Sequence, residues 1–185
     1  SKGGTGGKRA AAVSQIGDIT ASDDIRYRTG LSELDRVLGG GLVRGSLVLL
    51  EGDPGIGKST LLLQVCQELA KERKVLYVSG EESAKQIKLR AMRLSVNAPD
   101  LFVLSSGDLD TILATIRQEK PDVVMVDSIQ TMTLSSVPSA AGSVSQVREC
   151  ANVILFLASD EASFVSGSNY ITNLFHNYFS LLFFL

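Results

Sequence analysis

The feature that most restricts the fold of this 185-residue sequence is the run Gly52-Asp53-Pro54-Gly55-Ile56-Gly57-Lys58-Ser59, which fits G-x-x-x-x-G-K-[ST]. It follows an apolar stretch, Ser46-Leu-Val-Leu-Leu-Glu51, and precedes apolar residues at helical spacing, so a strand must hand over to a helix across it. A loop of this kind wraps a phosphate with inward-pointing backbone N–H groups, and its glycines allow backbone conformations that side chains obstruct. The helix opening at Lys58 aims its unpaired N–H groups and the positive end of its dipole at the same anion. The pattern predicts a nucleotide-phosphate site over Gly52, Asp53, Pro54, Gly55, Ile56, Gly57, Lys58, Ser59 and Thr60. Within it, Lys58 is the candidate for the β and γ phosphates and Ser59 for a Mg2+ ligand.

Three more apolar runs, Val75-Leu-Tyr-Val-Ser79, Leu101-Phe-Val-Leu104 and Asp122-Val-Val-Met-Val-Asp127, read as strands of a sheet covered on both faces. Between them lie three helical stripes. The first is Leu61, Leu62, Val65, Cys66 and Leu69, the second Ala84, Ile87, Ala91 and Leu94, and the third Leu109, Ile112, Leu113 and Ile116. Lys120-Pro121 ends the last, because proline disfavours helix in the residue before it. Alternation of this kind predicts an α/β fold, an open parallel sheet flanked by helices, whose ligands sit beyond the carboxyl ends of the strands.

Two acidic features fall at such ends. Asp127 closes the fourth strand in the manner of a Walker B residue and is the candidate to join Ser59 around Mg2+. The second strand, expected beside the first, ends in Ser79-Gly80-Glu81-Glu82. A carboxylate there suits the task of positioning or deprotonating an attacking water. It equally suits a solvated helix N-terminus, where the dipole favours acids, and spacing does not choose between the two.

Longer blocks narrow the choice: TGLSELDRVLGGGL from Thr29 to Leu42, GDPGIGKSTLLLQV, VLYVSGEESAKQIKLRAMRL, VDSIQT and GSVSQVREC. Through them the chain from Arg26 to Ala151 resembles the bacterial-type RadA/Sms family of DNA repair proteins, SGEES and GSVSQVREC being more specific than the phosphate loop. The resemblance implies a RecA-like P-loop ATPase core, truncated on its C-terminal side. It implies ATP and Mg2+ as ligands, hydrolysis with single-stranded or branched DNA as partner, and work on recombination intermediates. A hexamer-like ring and a recombinase partner belong to the same expectation. The family's water-activating glutamate falls on Glu81, with Glu82 second, so Glu81 and Lys58 are the expected catalytic residues; its Mg2+ aspartate falls on Asp127. Family members also carry a four-cysteine zinc finger and a KNRFG motif. Neither a C-x-x-C pair nor KNRFG occurs in this sequence, so zinc is not expected in this chain. Bacterial relatives imply a cytoplasmic location and plant relatives a mitochondrial or plastid one. A different reading, a nucleotide-binding or interaction fragment without turnover, follows from the departure from the family pattern after Ala151.

Composition limits the partners. Eighteen basic against twenty acidic side chains leave a net charge of −2, so DNA contact must come from a local patch. RecA-like proteins place mobile DNA loops beyond comparable strands, so the resemblance makes Gln146 and Arg148, behind the small-residue loop from Ser135 to Gly142, the DNA candidates. Lys85, Lys88, Arg90 and Arg93 form a basic helix face that reads either as a phosphate-contacting surface or, its ordinary reading, as a solvated one. Because RecA-like ATPases commonly assemble with sites between protomers, the resemblance also makes Arg36 and Arg44 candidates for nucleotide or neighbouring-subunit contacts. Two cysteines, Cys66 and Cys150, are too few for a thiolate zinc site and read as buried thiols. The chain divides into a flexible linker (1–25), a partial RecA-like ATPase domain (26–151) and a divergent hydrophobic tail (152–185). The tail holds two charged residues and six of the seven phenylalanines. Its last stretch, from Asn169, is shorter than the roughly 20 apolar residues of a membrane span and is interrupted by asparagines and His176, so no membrane association is expected. His176 is assigned no role.

Overall fold

The computed structural model describes residues 15, 26–136, 138, 140–159 and 179–184. The expected linker before Arg26, apart from Gln15, and the tail residues 160–178, with His176 among them, lie outside the described residues.

The chain opens with β1 (Arg26–Tyr27) and β2 (Leu42–Val43), paired antiparallel around the short helix α1 (Ser32–Val37). Asp35, buried in α1, accepts from the Thr29 backbone N–H and hydroxyl, both at 2.8 Å, and ties this entry loop together. Then follow β3 (Leu47–Glu51), α2 (Lys58–Leu69), β4 (Val75–Ser79), α3 (Ala84–Arg93), β5 (Leu101–Ser105), α4 (Leu109–Glu119) and β6 (Val123–Asp127). A 3-10 turn over Ile129–Thr131 leads on toward α5 (Val144–Ser159), and Phe179–Phe184 forms β7.

The main sheet has the order β3-β7-β6-β4-β5. Its centre is parallel, with β4 hydrogen-bonded to β5 on one side and β6 on the other. This is the α/β architecture that the alternating pattern predicts, with two differences. First, β4 is not beside β3; β6 and β7 stand between them. The burial of the strands explains why: the apolar residues of β4 and β6 are all buried and take interior positions, whereas β3 exposes Leu49 and β5 exposes Phe102 and Val103, as edges tolerate. Second, β7 runs antiparallel between β3 and β6, from Leu47↔Phe183 to Glu51↔Phe179 on one side and from Val123↔Phe184 to Asp127↔Ser180 on the other. It supplies backbone partners to two strands whose facing N–H and C=O groups would otherwise lack them. Part of the divergent tail thus lies inside the sheet, and α5 runs through Ala151 without a break.

Period-two alternation sends β4 and β6 side chains to two cores. Val75, Tyr77, Val123 and Met125 meet Leu62, Leu63, Val65, Cys66 and Leu69 of α2 and Ile87 and Ala91 of α3. Leu76, Val78, Val124 and Val126 meet Leu109, Ile112 and Leu113 of α4 and Val147 and Cys150 of α5. Helices α2 and α3 therefore cover one face, and α4 and α5 the other. Three of the four stripe residues expected of α4 are buried, and Lys120 closes the helix in a left-handed conformation (φ 48°) just before Pro121. Among the described residues, no helix is long and apolar enough to cross a membrane.

Candidate nucleotide site

The loop from Gly52 to Gly57 leaves β3 at the carboxyl edge of the sheet and enters α2 at Lys58. Gly55 (φ 80°) and Gly57 (φ 101°) hold left-handed backbone conformations that residues with a Cβ rarely adopt; Gly57 is the second fixed glycine of the motif, and Gly55 fills one of its variable positions. Gly57 is the N-cap of α2, contributes no side-chain cap, and no acidic residue follows in the first turn. The N–H groups at this helix start are therefore open to an anion, with no carboxylate of the same turn competing. The Lys58 ammonium curls back over the loop and donates to the carbonyls of Gly52 (2.6 Å) and Asp53 (2.9 Å), poised at the mouth of the phosphate cradle. Ser59 and Thr60, half-buried, stand in the first turn beside it.

Asp127 ends β6 on the same edge. Residues 123, 125 and 127 alternate onto one face, so its carboxylate shares the α2 side of the sheet with Tyr77 and Cys66. One strand, β7, separates β6 from β3, which puts the ends of the phosphate-loop strand and the aspartate strand about 10 Å apart, two strand spacings. Tyr77, fully buried on β4, donates its hydroxyl to Asp127 Oδ2 at 2.6 Å. Burial first, then the Asp127 charge and the hydrogen bond to it, push the Tyr77 phenol far up, so it remains the donor. Burial, with a smaller push from Asp127, likewise raises the Cys66 thiol, which stays protonated. Cys150, buried on α5, is pushed up to about 11 by burial and by Glu149. Both cysteines are free thiols.

The loop after β4 is clamped. The Ser79 hydroxyl accepts from Glu82 N–H at 3.1 Å, and the Ser105 hydroxyl donates to the Glu82 carbonyl at 2.7 Å. Arg90 of α3 forms an ion pair with the Glu82 carboxylate. Gly80 packs so tightly on Thr131, in the turn after β6, that a Cβ would collide with its side chain. Glu81 by contrast is exposed, and among the described residues its carboxylate makes no hydrogen bond or ion pair. Of the adjacent pair, Glu82 is spent on Arg90 and Glu81 is presented.

The expected DNA residues fare differently from each other. Gln146 is buried, 2% exposed, and its amide is occupied by Leu134, accepting from the N–H at 3.0 Å and donating to the C=O at 3.3 Å. It braces the loop that precedes α5 and presents nothing to a DNA strand, so this candidate is corrected to a structural one. Arg148 is exposed on α5, the helix that covers the face opposite α2. Arg36 pairs with Glu33 at 2.9 Å on the exposed side of α1. Tyr77 was not among the expected site residues; its signal is the β4/β6 register, Ser79 opposite Asp127, which only the folded sheet provides. Arg90, named in the basic helix face, is paired with Glu82.

Among the described residues, no three acidic, histidine or cysteine side chains gather to hold a metal. The oxygens present, the Ser59 hydroxyl and the Asp127 carboxylate, are hard and few. They fit Mg2+, which keeps several waters and takes the rest of its shell from phosphates, better than ions that need an all-protein cage.

A strand, a glycine-rich phosphate loop, a helix and a strand-end aspartate on one edge of a helix-flanked sheet define a P-loop ATPase-type domain. Residues 13–155 match the family model described as AAA domain, and the chain belongs to that family. Curated relatives that it matches include DNA repair proteins. It is 56% identical over 146 residues to the DNA repair protein RadA of Bacillus subtilis, an alignment covering 78% of this chain and 32% of the relative. RadA of Listeria monocytogenes is 52% identical over 162 residues (86% and 35%), and RadA of Pseudomonas aeruginosa 44% over 171 residues (92% and 38%). The chain thus spans about a third of the length of the relatives it matches.

Proposed function

We propose that this chain is the ATP-binding and ATP-hydrolysing core of a DNA repair ATPase of the RadA kind, with single-stranded or branched DNA as its macromolecular partner. The observation that supports the reading is the shared sheet edge of the open helix start at Lys58 and the carboxylate of Asp127. Loop N–H groups from Gly52 to Thr60 receive the phosphates, and Lys58 trades its two carbonyl partners for β- and γ-phosphate oxygens. Ser59 and Asp127 would hold Mg2+, which when bound draws negative charge off those oxygens. Glu81 orients a water and takes its proton while the water oxygen bonds to the γ-phosphorus. The bond to the β–γ bridging oxygen breaks, leaving ADP and inorganic phosphate. Arg148 is the proposed DNA contact, and a ring of copies and a recombinase partner complete the reading carried over from the RadA resemblance.

Thermal unfolding with and without Mg-ATP, followed by hydrolysis assays with and without single-stranded DNA, tests this reading. ATP at a hundred times its dissociation constant should stabilise the chain by about 2.7 kcal/mol, and Lys58→Ala should remove the shift. An equal shift in Lys58→Ala sinks the site assignment. A shift without turnover favours the second reading, nucleotide binding alone.

A further inference from the structure

We infer that Tyr77 is a positioning residue of the Mg2+-nucleotide site and acts by holding the Asp127 carboxylate; the inference rests on the nucleotide reading above. Tyr77 lies in the middle of β4, opposite Met125 of β6, and its ring is fully buried among apolar residues of the α2 face. The other interior positions of β4 and β6 carry plain apolar side chains. A hydroxyl in such a place is unfavourable unless it is hydrogen-bonded. Here it reaches two residues toward the carboxyl edge and donates to Asp127 Oδ2 at 2.6 Å, a bond to a charged acceptor and stronger than a neutral one.

The consequence lies in the torsions. A carboxylate turns about its last side-chain bond over a broad well, and Asp127 sits half-exposed at a strand end. The phenol, locked in the core, pins Oδ2 and with it the plane of the group. Mg2+ demands near-octahedral geometry, so an acceptor for the ion or its waters that points the wrong way is penalised. Partners that orient a ligating carboxylate from behind typically change metal affinity 10–100-fold.

Tyr77→Phe deletes the hydroxyl and leaves the ring in its packing. Binding of a fluorescent ADP analogue to the full chain, titrated with Mg2+ and repeated in EDTA, separates the two roles. The Mg2+ concentration at half-saturation should rise about tenfold while affinity in EDTA stays that of the parent. In an Asp127→Asn background the same substitution should add nothing further. Tyr77 labelled as meta-fluorotyrosine keeps the hydroxyl and the fold, and its fluorine resonance should move along the Mg2+ titration of the nucleotide complex. A Mg2+ midpoint unchanged in Tyr77→Phe, where Asp127→Asn does shift it, overturns the inference and leaves the nucleotide reading standing. So does a fluorine resonance indifferent to Mg2+. A parent chain that binds no nucleotide at any Mg2+ concentration overturns both.

Discussion

Glu81 and Glu82 are neighbours in the chain with opposite surroundings. Glu82 has its backbone N–H held by Ser79 and its carboxylate by Arg90, while Glu81 stands exposed beside Gly80, where a Cβ would collide with the Thr131 side chain. A water-activating carboxylate needs an acceptor oxygen that is not already paired, and on that ground the proposed role suits Glu81 better than Glu82. Glu81→Gln should leave nucleotide affinity intact and lower turnover by about 10²–10⁴-fold, measured as steady-state phosphate release against analogue binding. Glu82→Gln should instead loosen the loop by removing the Arg90 pair; turnover lost equally in both variants would count against this division of labour. Gln146 leaves the DNA candidates for a different reason: its amide is buried and bridges both backbone groups of Leu134, away from any surface a strand could reach.

Elements are set by local chemistry that a reader of the chain can largely see. Helix α3 starts at a capping box, Ser83 with Gln86, and α4 at Asp108, whose Oδ2 accepts from Thr111 N–H at 3.0 Å. The Thr111 hydroxyl, then its N–H, hold the Asp108 carboxyl below the usual range. Because the folded value is depressed, the cap contributes fully above the ordinary aspartate value of ~4 and is lost as pH falls through the lower folded value. Asp108→Ala should therefore cost about 1 kcal/mol at neutral pH, read from urea unfolding, and the gap between parent and variant should close on strong acidification. A gap constant across the acid range would mean that the capping carboxylate is not its source.

The whole molecule depends on a strand that composition marked as foreign. With Phe179–Phe184 in place, β3 and β6 belong to one sheet, and the phosphate loop and Asp127 keep a fixed separation. Deleting residues 179–185 leaves the facing edges of both strands without backbone partners. The deletion should lower and broaden thermal unfolding followed by circular dichroism, and weaken any nucleotide-induced shift. Unfolding as sharp and as high as the parent's would show that β7 contributes nothing to the sheet.

The phosphate loop, the four strands β3, β4, β5 and β6, the three helices α2, α3 and α4 and Asp127 at a strand end were readable from the chain, because motif spacing and apolar periodicity are local properties; α1, α5 and β7 were not. Leu63 escaped its stripe only because α2 buries a wider face than one row of side chains. Strand order was not readable, and with it went the neighbours of β4. Neither the Tyr77 bond to Asp127, 50 residues away, nor the antiparallel entry of β7 has a local signature. Both arise from which edges pair after each crossover, and that choice is made by competition among whole strands for buried positions in the sheet.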